Sequence, residues 1–281
     1  MKISPLPAID YLVIGHLTCD LIPGGCQLGG TALYASLTAK ALGLKVGLIT
    51  SCAEDTVFEP FGDMPVVNYS SETSTTFENI YAPAGRIQFV RSFASRLDFY
   101  HIPEPWRSAS IVHLGPVAQE VEPSIVRNFT SSLIGITPQG WLREWDDQGR
   151  VSPGEWPESA FVLGRAGATV LSIEDVAGDE NRIQELATAS RILAVTEGAS
   201  GTRLFWNGDE RRFRAPEVKK IDATGAGDIF AAAFFIRLYS TRDPWESARF
   251  ATQLAAFSVT RSGLSGIPTA EEINSCMVEV F

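Results

Sequence analysis

Short, nearly unbroken apolar runs alternate along this chain with longer segments that open on glycine. "YLVIGHLTCDLI" at 11–22 reads as one strand that continues past Gly15, and "GGTALYASLTAKALG" at 29–43 as a helix opened by glycines and closed by Gly43. "KVGLITSCAED" at 45–55 reads as a second strand, and this strand–helix–strand order predicts a parallel sheet. Further strands are predicted at 110–117, 132–138, 168–173 and 191–198, with amphipathic or apolar helical segments between them. Residues 73–98 break the rhythm. They are rich in Thr, Phe, Ile, Val and Tyr and are interrupted by "APAG", which predicts a hairpin forming an accessory layer on the sheet. The run from Ile229 to Leu238 contains no breaker and predicts a buried helix. The last helix is signalled by "DPWE", with Asp243 as N-cap, Pro244 at the first position and Glu246 at the third. Residues 138–157, rich in Gly, Pro and Trp, are expected to be a surface excursion of the same domain. The whole pattern predicts one α/β domain, 1–281, with a central, mostly parallel sheet flanked by helices.

Within that frame one stretch carries chemistry. "IDATGAGDIFAAAFF" at 221–235 places Asp222 and Asp228 around a small-residue turn that runs into the apolar helix. Gly225 to Asp228 therefore fall at a helix N-terminus, where unpaired N–H groups and the helix dipole attract anions. Asp228 can be read there as a simple cap, or as a base beside a bound phosphate. No Walker lysine follows any glycine turn and the G-x-G-x-x-G fingerprint is missing, which argues against P-loop and Rossmann dinucleotide sites. Alone, "TEGASG" at 196–201 reads as a hairpin turn, His16, His101 and His113 as structural residues, and Trp141, Trp145 and Trp156 as packing.

Charge and cysteine content then narrow the function classes. A net charge of −10 argues against general affinity for nucleic acid or anionic membrane. Cys19, Cys26, Cys52 and Cys276 are scattered without C-x-x-C or nearby histidine, so neither a zinc site nor a disulfide framework is expected, and a reducing cytoplasm is. No segment approaches the ~20 apolar residues of a membrane span, and "YLVIG" at 11–15 is too short for a signal peptide.

The order of parts is specific: a "GG" turn near the N-terminus, a β insertion, a "T-x-G-x-x-G" turn, then "DATGAGD" at 222–228 before an apolar helix. In this the chain resembles the ribokinase-like (phosphofructokinase-B group) carbohydrate kinases over nearly its whole length. The resemblance implies a ribokinase-like fold in which 73–98, with a contribution from about 16–28, forms a small β-sheet lid. It implies an ATP- and Mg²⁺-dependent kinase that phosphorylates a hydroxyl of a small sugar or polyol. Asp228 would be the base, with the N–H groups of Gly225, Ala226 and Gly227 as anion hole. Thr196, Gly198 and Gly201 would belong to the ATP-binding turn, and Asp20, Gly29 and Gly30 to the substrate end. Asp222 and Thr224 are similar to residues that bind K⁺ in several members. Two departures stand out. Tyr34 replaces the family's common Asn, which puts ribose recognition of the usual kind in doubt, and "SIED" (Ser172, Asp175) replaces the N-x-x-E that organises Mg²⁺. "SIED" and "TTFENIY" at 75–81 resemble the inositol-kinase-like branch more than ribokinase itself. The alternatives are a nucleoside kinase on the same fold and a non-catalytic sugar- or nucleotide-binding protein. A homodimer through the lid is the remaining partner expectation.

Overall fold

The computed structural model describes residues 6–82 and 85–277. In chain order, β1 (Tyr11–Ile14) is followed by β2 (Thr18–Ile22), β3 (Gly25–Gly29), α1 (Thr31–Ala41), β4 (Val46–Cys52) and β5 (Val66–Ser70). Next come β6 (Thr75–Ala82), β7 (Gly85–Ser92), β8 (Ile111–Leu114), β9 (Leu133–Ile136) and a hairpin of β10 (Arg143–Trp145) and β11 (Val151–Pro153). α2 (Ser159–Leu163), β12 (Ala168–Ser172), α3 (Glu180–Ala189), β13 (Ile192–Thr196), β14 (Thr202–Trp206) and β15 (Asp209–Phe213) follow, then α4 (Ala226–Thr241), α5 (Pro244–Ser258) and α6 (Ala270–Cys276).

Among the described residues one nine-stranded sheet runs β15-β14-β13-β12-β9-β8-β1-β4-β5. It is parallel except at the β13–β14–β15 edge, which agrees with the mostly parallel sheet expected from sequence. A second sheet has the order β3-β2-β6-β7. The apolar run of α4 is buried on every side from Ile229 to Phe235, as a helix without a polar face must be. It packs with α1 and α5 on one face of the large sheet, while the other face is filled by Trp106, Trp141, Trp156 and the apolar sides of α2 and α3. Gly135 of β9 lets α4 come close, since a Cβ at that position would run into the ring of Phe235. His113 is fully buried between the Tyr11 hydroxyl at 2.9 Å and the Thr137 hydroxyl at 3.0 Å. Burial lowers its pKa to about 3, so it is a neutral core group.

Several sequence expectations need correction. The 11–22 run is two strands in different sheets. After Ile14 the backbone N–H groups leave the ladder for side chains: His16 donates to Glu120 Oε1 at 3.0 Å and Leu17 to Thr50 Oγ1 at 2.8 Å. The β8–β9 connection holds only a 3₁₀ segment, Pro123–Arg127, in place of a helix. Residues 138–157 are not merely a surface excursion, because Trp141 and Trp156 stack at 5.2 Å within the core. Asp243 caps α5 through Trp245 and Glu246, as read, but α6 follows it with its own Thr269–Glu272 capping box. Cys19 and Cys26, on adjacent strands β2 and β3, form a disulfide that their sequence spacing did not suggest. Pro83 and Ala84 of the "APAG" break lie outside the described residues.

The Gly135–Phe235 contact gives a test of how α4 is seated. Gly135→Ala should overpack the sheet–helix interface at a cost of about 1–3 kcal/mol. Calorimetry should then show Tm lowered by several degrees, at roughly 2–4 °C per kcal/mol for a chain of this size. An unchanged Tm would mean that the Phe235 ring moves aside freely.

Candidate active site

Two helices, α1 and α4, bring their N-termini together beyond the carboxyl ends of the parallel strands, the usual ligand end of an open α/β sheet. Gly225 is the N-cap of α4 with φ 77°, a left-handed conformation that disfavours a side chain. A Cβ there would also overlap the ring of Tyr34 from α1, which is buried and lies directly on Gly225. Gly30, the N-cap of α1, passes equally close to β2: a Cβ would stand 2.8 Å from His16 O and 3.1 Å from Thr18 Cγ2.

Asp228 lies in the first turn of α4 without capping it; its carboxylate accepts a hydrogen bond from the Thr31 hydroxyl at the start of α1. Burial pushes its pKa up to about 6, and the charge of Asp175 adds to the rise, while Thr31 and Arg143 oppose it. At the same turn the Ala226 N–H donates to Ala223 O at 3.2 Å, whereas the N–H groups of Gly225 and Gly227 have no acceptor among the described residues. Gly227 is exposed, with open space where a side chain would be.

Asp222 acts as a clasp. Its Oδ1 accepts the Thr224 N–H at 2.9 Å and hydroxyl at 2.7 Å, and its Oδ2 accepts the Gly263 N–H at 2.9 Å. Burial works to raise its pKa, but these bonds together hold it below the usual carboxylate value.

At the end of β12, Ser172 and Asp175 form a reciprocal capping box. Asp175 Oδ2 accepts the Ser172 N–H at 2.8 Å and Oδ1 accepts Gln139 Nε2 at 3.1 Å. Burial raises the Asp175 pKa despite the nearby Arg143 cation, and such a carboxylate would be stabilised by a further cation. Mg²⁺ takes oxygen ligands and keeps several waters, so Ser172 and Asp175 suit it as outer ligands. Among the described residues no group of three or more His, Cys, Asp or Glu is arranged to hold a metal directly. One strand over, Thr196 pairs in register with Ser172, and its hydroxyl donates to Leu171 O at 3.4 Å. The chain then turns through Gly198–Ser200 into β14, so "TEGASG" is a hairpin turn in structure; Gly198 has open space where a Cβ would be. On the other side, Asp20 of β2 lies against Gly29 of β3, and its charge, with those of Asp222 and Asp228, reaches Tyr34. Burial first and these carboxylates second push the Tyr34 hydroxyl up to about 12.

Three contributors escaped sequence reading: Thr31, Gln139 and Arg143. Arg143 comes from β10, donates to Val117 O at 3.0 Å and lies 5.5 Å from the ring centroid of Phe77 in β6. Only the "GGT" context of Thr31 carried any signal in sequence. The three histidines are structural, as expected: His16 bonds Thr75 and Ser95, His101 accepts from Asp98 N, and His113 sits in the core.

Comparison with known proteins fits this arrangement. Residues 157–270 match the pfkB family carbohydrate kinase model. The chain is 34% identical to an inositol 3-kinase of Oryza sativa subsp. japonica, over 93% of this chain and 71% of that protein. It is 25% identical to a fructokinase of Klebsiella pneumoniae, over 93% and 97%. A partial match to the Escherichia coli fructokinase, 27% identical, covers 60% of this chain and 62% of that protein. A pyrophosphate-dependent ribokinase-family kinase, solved with a pyrophosphate analog and myo-inositol, has a TM-score of 0.75 at 20% identity, over 95% and 100% of the two chains. The Arabidopsis thaliana ribokinase complexed with ribose and ATP gives 0.72 at 17% identity, over 96% and 99%. The fold is that of the ribokinase-family kinases. The chain belongs to the pfkB family, and it is a carbohydrate kinase.

The raised pKa of Asp228 has a consequence for stability. Between the ordinary carboxylate value, near 4, and about 6, the folded chain binds a proton that the unfolded chain has released. Stability therefore falls as pH rises through that window. Asp228→Asn should raise Tm at pH 7–8 and lose that advantage as pH falls toward 4. A variant with lowered Tm at pH 7–8 would show that the carboxylate is needed for folding.

Proposed function

We propose that this enzyme transfers the γ-phosphoryl group of ATP to a hydroxyl of a small neutral sugar or polyol, inositol-like or hexose-like. The observation that supports it is Asp228: a carboxylate raised to about 6, held by Thr31, beside two unpaired N–H groups at the head of α4. Such a group is ionised at neutral pH yet basic enough to take the acceptor's proton. In the proposed step the acceptor hydroxyl gives its proton to Asp228 and its oxygen bonds to the γ-phosphorus. The bond to the β–γ bridging oxygen breaks, and ADP leaves. The N–H groups of Gly225 and Gly227 face the charge on the transferring oxygens, where preorganised donors are most effective. Bound Mg²⁺ would neutralise phosphate charge, and Ser172 and Asp175 are the residues placed to hold it through water.

A neutral acceptor follows from the charges facing Tyr34. The charges of Asp222, Asp228 and Asp20 all reach that hydroxyl, and they would repel an anionic substrate. Asp20 and the Tyr34 hydroxyl suit a polyol because a carboxylate accepts two O–H donors while a phenol both donates and accepts. The inositol kinase among the relatives supports the same class. ATP is the donor in this reading, with Thr196, Gly198 and Gly201 in its turn. The small sheet would close over the acceptor. Its exposed Leu21, Ile22 and Ile80 support a homodimer through that surface, which sedimentation of the active enzyme reads directly: a monomer at assay concentration removes it.

The test is a matrix of donors and acceptors: ATP or pyrophosphate against inositols, hexoses, pentoses, their phosphates and nucleosides. Turnover with ATP and a neutral polyol or sugar is expected. Turnover only with pyrophosphate, or preference for a nucleoside or a sugar phosphate, overturns the corresponding half of the reading. Equal rates in K⁺, Na⁺ and an organic cation would leave K⁺ without a role. In the same assay Asp228→Asn should lose at least about 100-fold in kcat, the lower bound of the usual general-base range. Asp20→Ala should raise KM for the acceptor about tenfold, the equivalent of 1.4 kcal/mol, with the apparent KM for ATP unchanged. An unchanged acceptor KM would take Asp20 out of the substrate site.

A further inference from the structure

A cavity of about 510 Å³ opens at the other end of the large sheet, where β9, β12 and β13 begin and α4 ends. Its lining includes Arg127, Arg165, Arg191 and Arg242 and no aspartate or glutamate. All four residues are exposed, unlike Arg237, Arg203 and Arg261, which are buried or half-buried and meet carboxylates: Glu246 at 2.8 Å, Glu180 at 2.8 Å and Glu272 at 2.6 Å. None of the four cavity arginines forms an ion pair among the described residues.

Three of the four are nevertheless held in place. The guanidinium groups of Arg127 and Arg165 lie 4.5 Å and 4.2 Å from the centroid of the same ring, Phe161, and Arg165 also donates to Phe161 O at 3.2 Å. Arg242, at the C-cap of α4, lies 4.8 Å from the ring of Tyr239. Stacking of this kind orients a guanidinium without neutralising it and leaves most of its N–H groups free. Two like charges sharing one ring repel each other, and a multivalent anion between them would relieve that repulsion.

We propose that this cavity is a second binding site, for a small molecule bearing a di- or triphosphate group. Planar guanidinium forks match phosphate oxygens in pairs, and several convergent arginines favour a polyanion over a single charge. The volume lies within the range of small-molecule sites and exceeds what one phosphate fills. The site is separate from the catalytic one. Asp228 is in the first turn of α4 and Arg242 at its C-cap, fourteen residues further on or about 21 Å along the axis.

Inorganic tripolyphosphate is the probe, titrated calorimetrically against the full-length wild-type chain and against Arg191→Gln/Arg242→Gln. Wild type is expected to bind one more tripolyphosphate per chain than the variant, with kcat of the two within twofold of each other. Arg127→Gln, on a different segment, should weaken the same binding event at least about threefold. Superimposable titrations of wild type and double variant, or no binding to wild type, would overturn the proposal.

Discussion

The ring of Tyr34 rests on the bare Cα of Gly225, and the geometry of the candidate site depends on that contact. It sets the separation of two helix N-termini that belong to chain segments far apart in sequence. Thr31, three residues before Tyr34, then reaches the carboxylate of Asp228, three residues after Gly225. A side chain at Gly225 would push the ring away and disturb the left-handed turn at once. The charges of Asp222, Asp228 and Asp20 also converge here, all acting on the Tyr34 hydroxyl.

Electrostatics at this end oppose folding and favour chemistry. Asp228 is partly removed from water, faces the like charge of Asp175, and is compensated only by Thr31 and Arg143. Sites that tune a carboxylate upward in this way are typical of proton-transfer groups. The stability lost there is recovered in ordinary packing, through the seven consecutive buried residues of α4, Ile229 to Phe235, and the two apolar layers on the sheet. The arginine cavity at the opposite end gathers charge of positive sign, on exposed side chains without ion-pair partners among the described residues.

Much of this was legible in the residues. The strand–helix–strand opening, the buried α4 and the Asp243–Pro244–Glu246 start of α5 are local patterns, and local patterns survive folding. "DATGAGD" marked the head of α4 because a turn of small residues before an apolar run has few other uses. The exit of the chain after Ile14 was hidden, since Glu120 and Thr50, which take over the backbone hydrogen bonds there, are distant in sequence. The Cys19–Cys26 disulfide was hidden for a similar reason: nothing about a spacing of seven announces two paired antiparallel strands. Thr31, Gln139 and Arg143 acquire their importance only from what tertiary structure puts beside them. Arg143 even sits in a stretch that reads as a loop.

The clasp between Asp222 and Gly263 closes across 41 residues, after almost everything else at the catalytic end has been made. Asp20, Thr31, Arg143, Asp175 and Asp228 all precede it in the chain. During synthesis, then, the strands of the large sheet and all of α4 emerge before the N–H group that fixes Asp222, and N-terminal parts can begin to organise first. The turn that presents Gly225 gains its Gly263 hydrogen bond only once that later segment is present. A growing chain therefore carries every acidic group of the candidate site before it carries the Gly263 N–H group that holds Asp222.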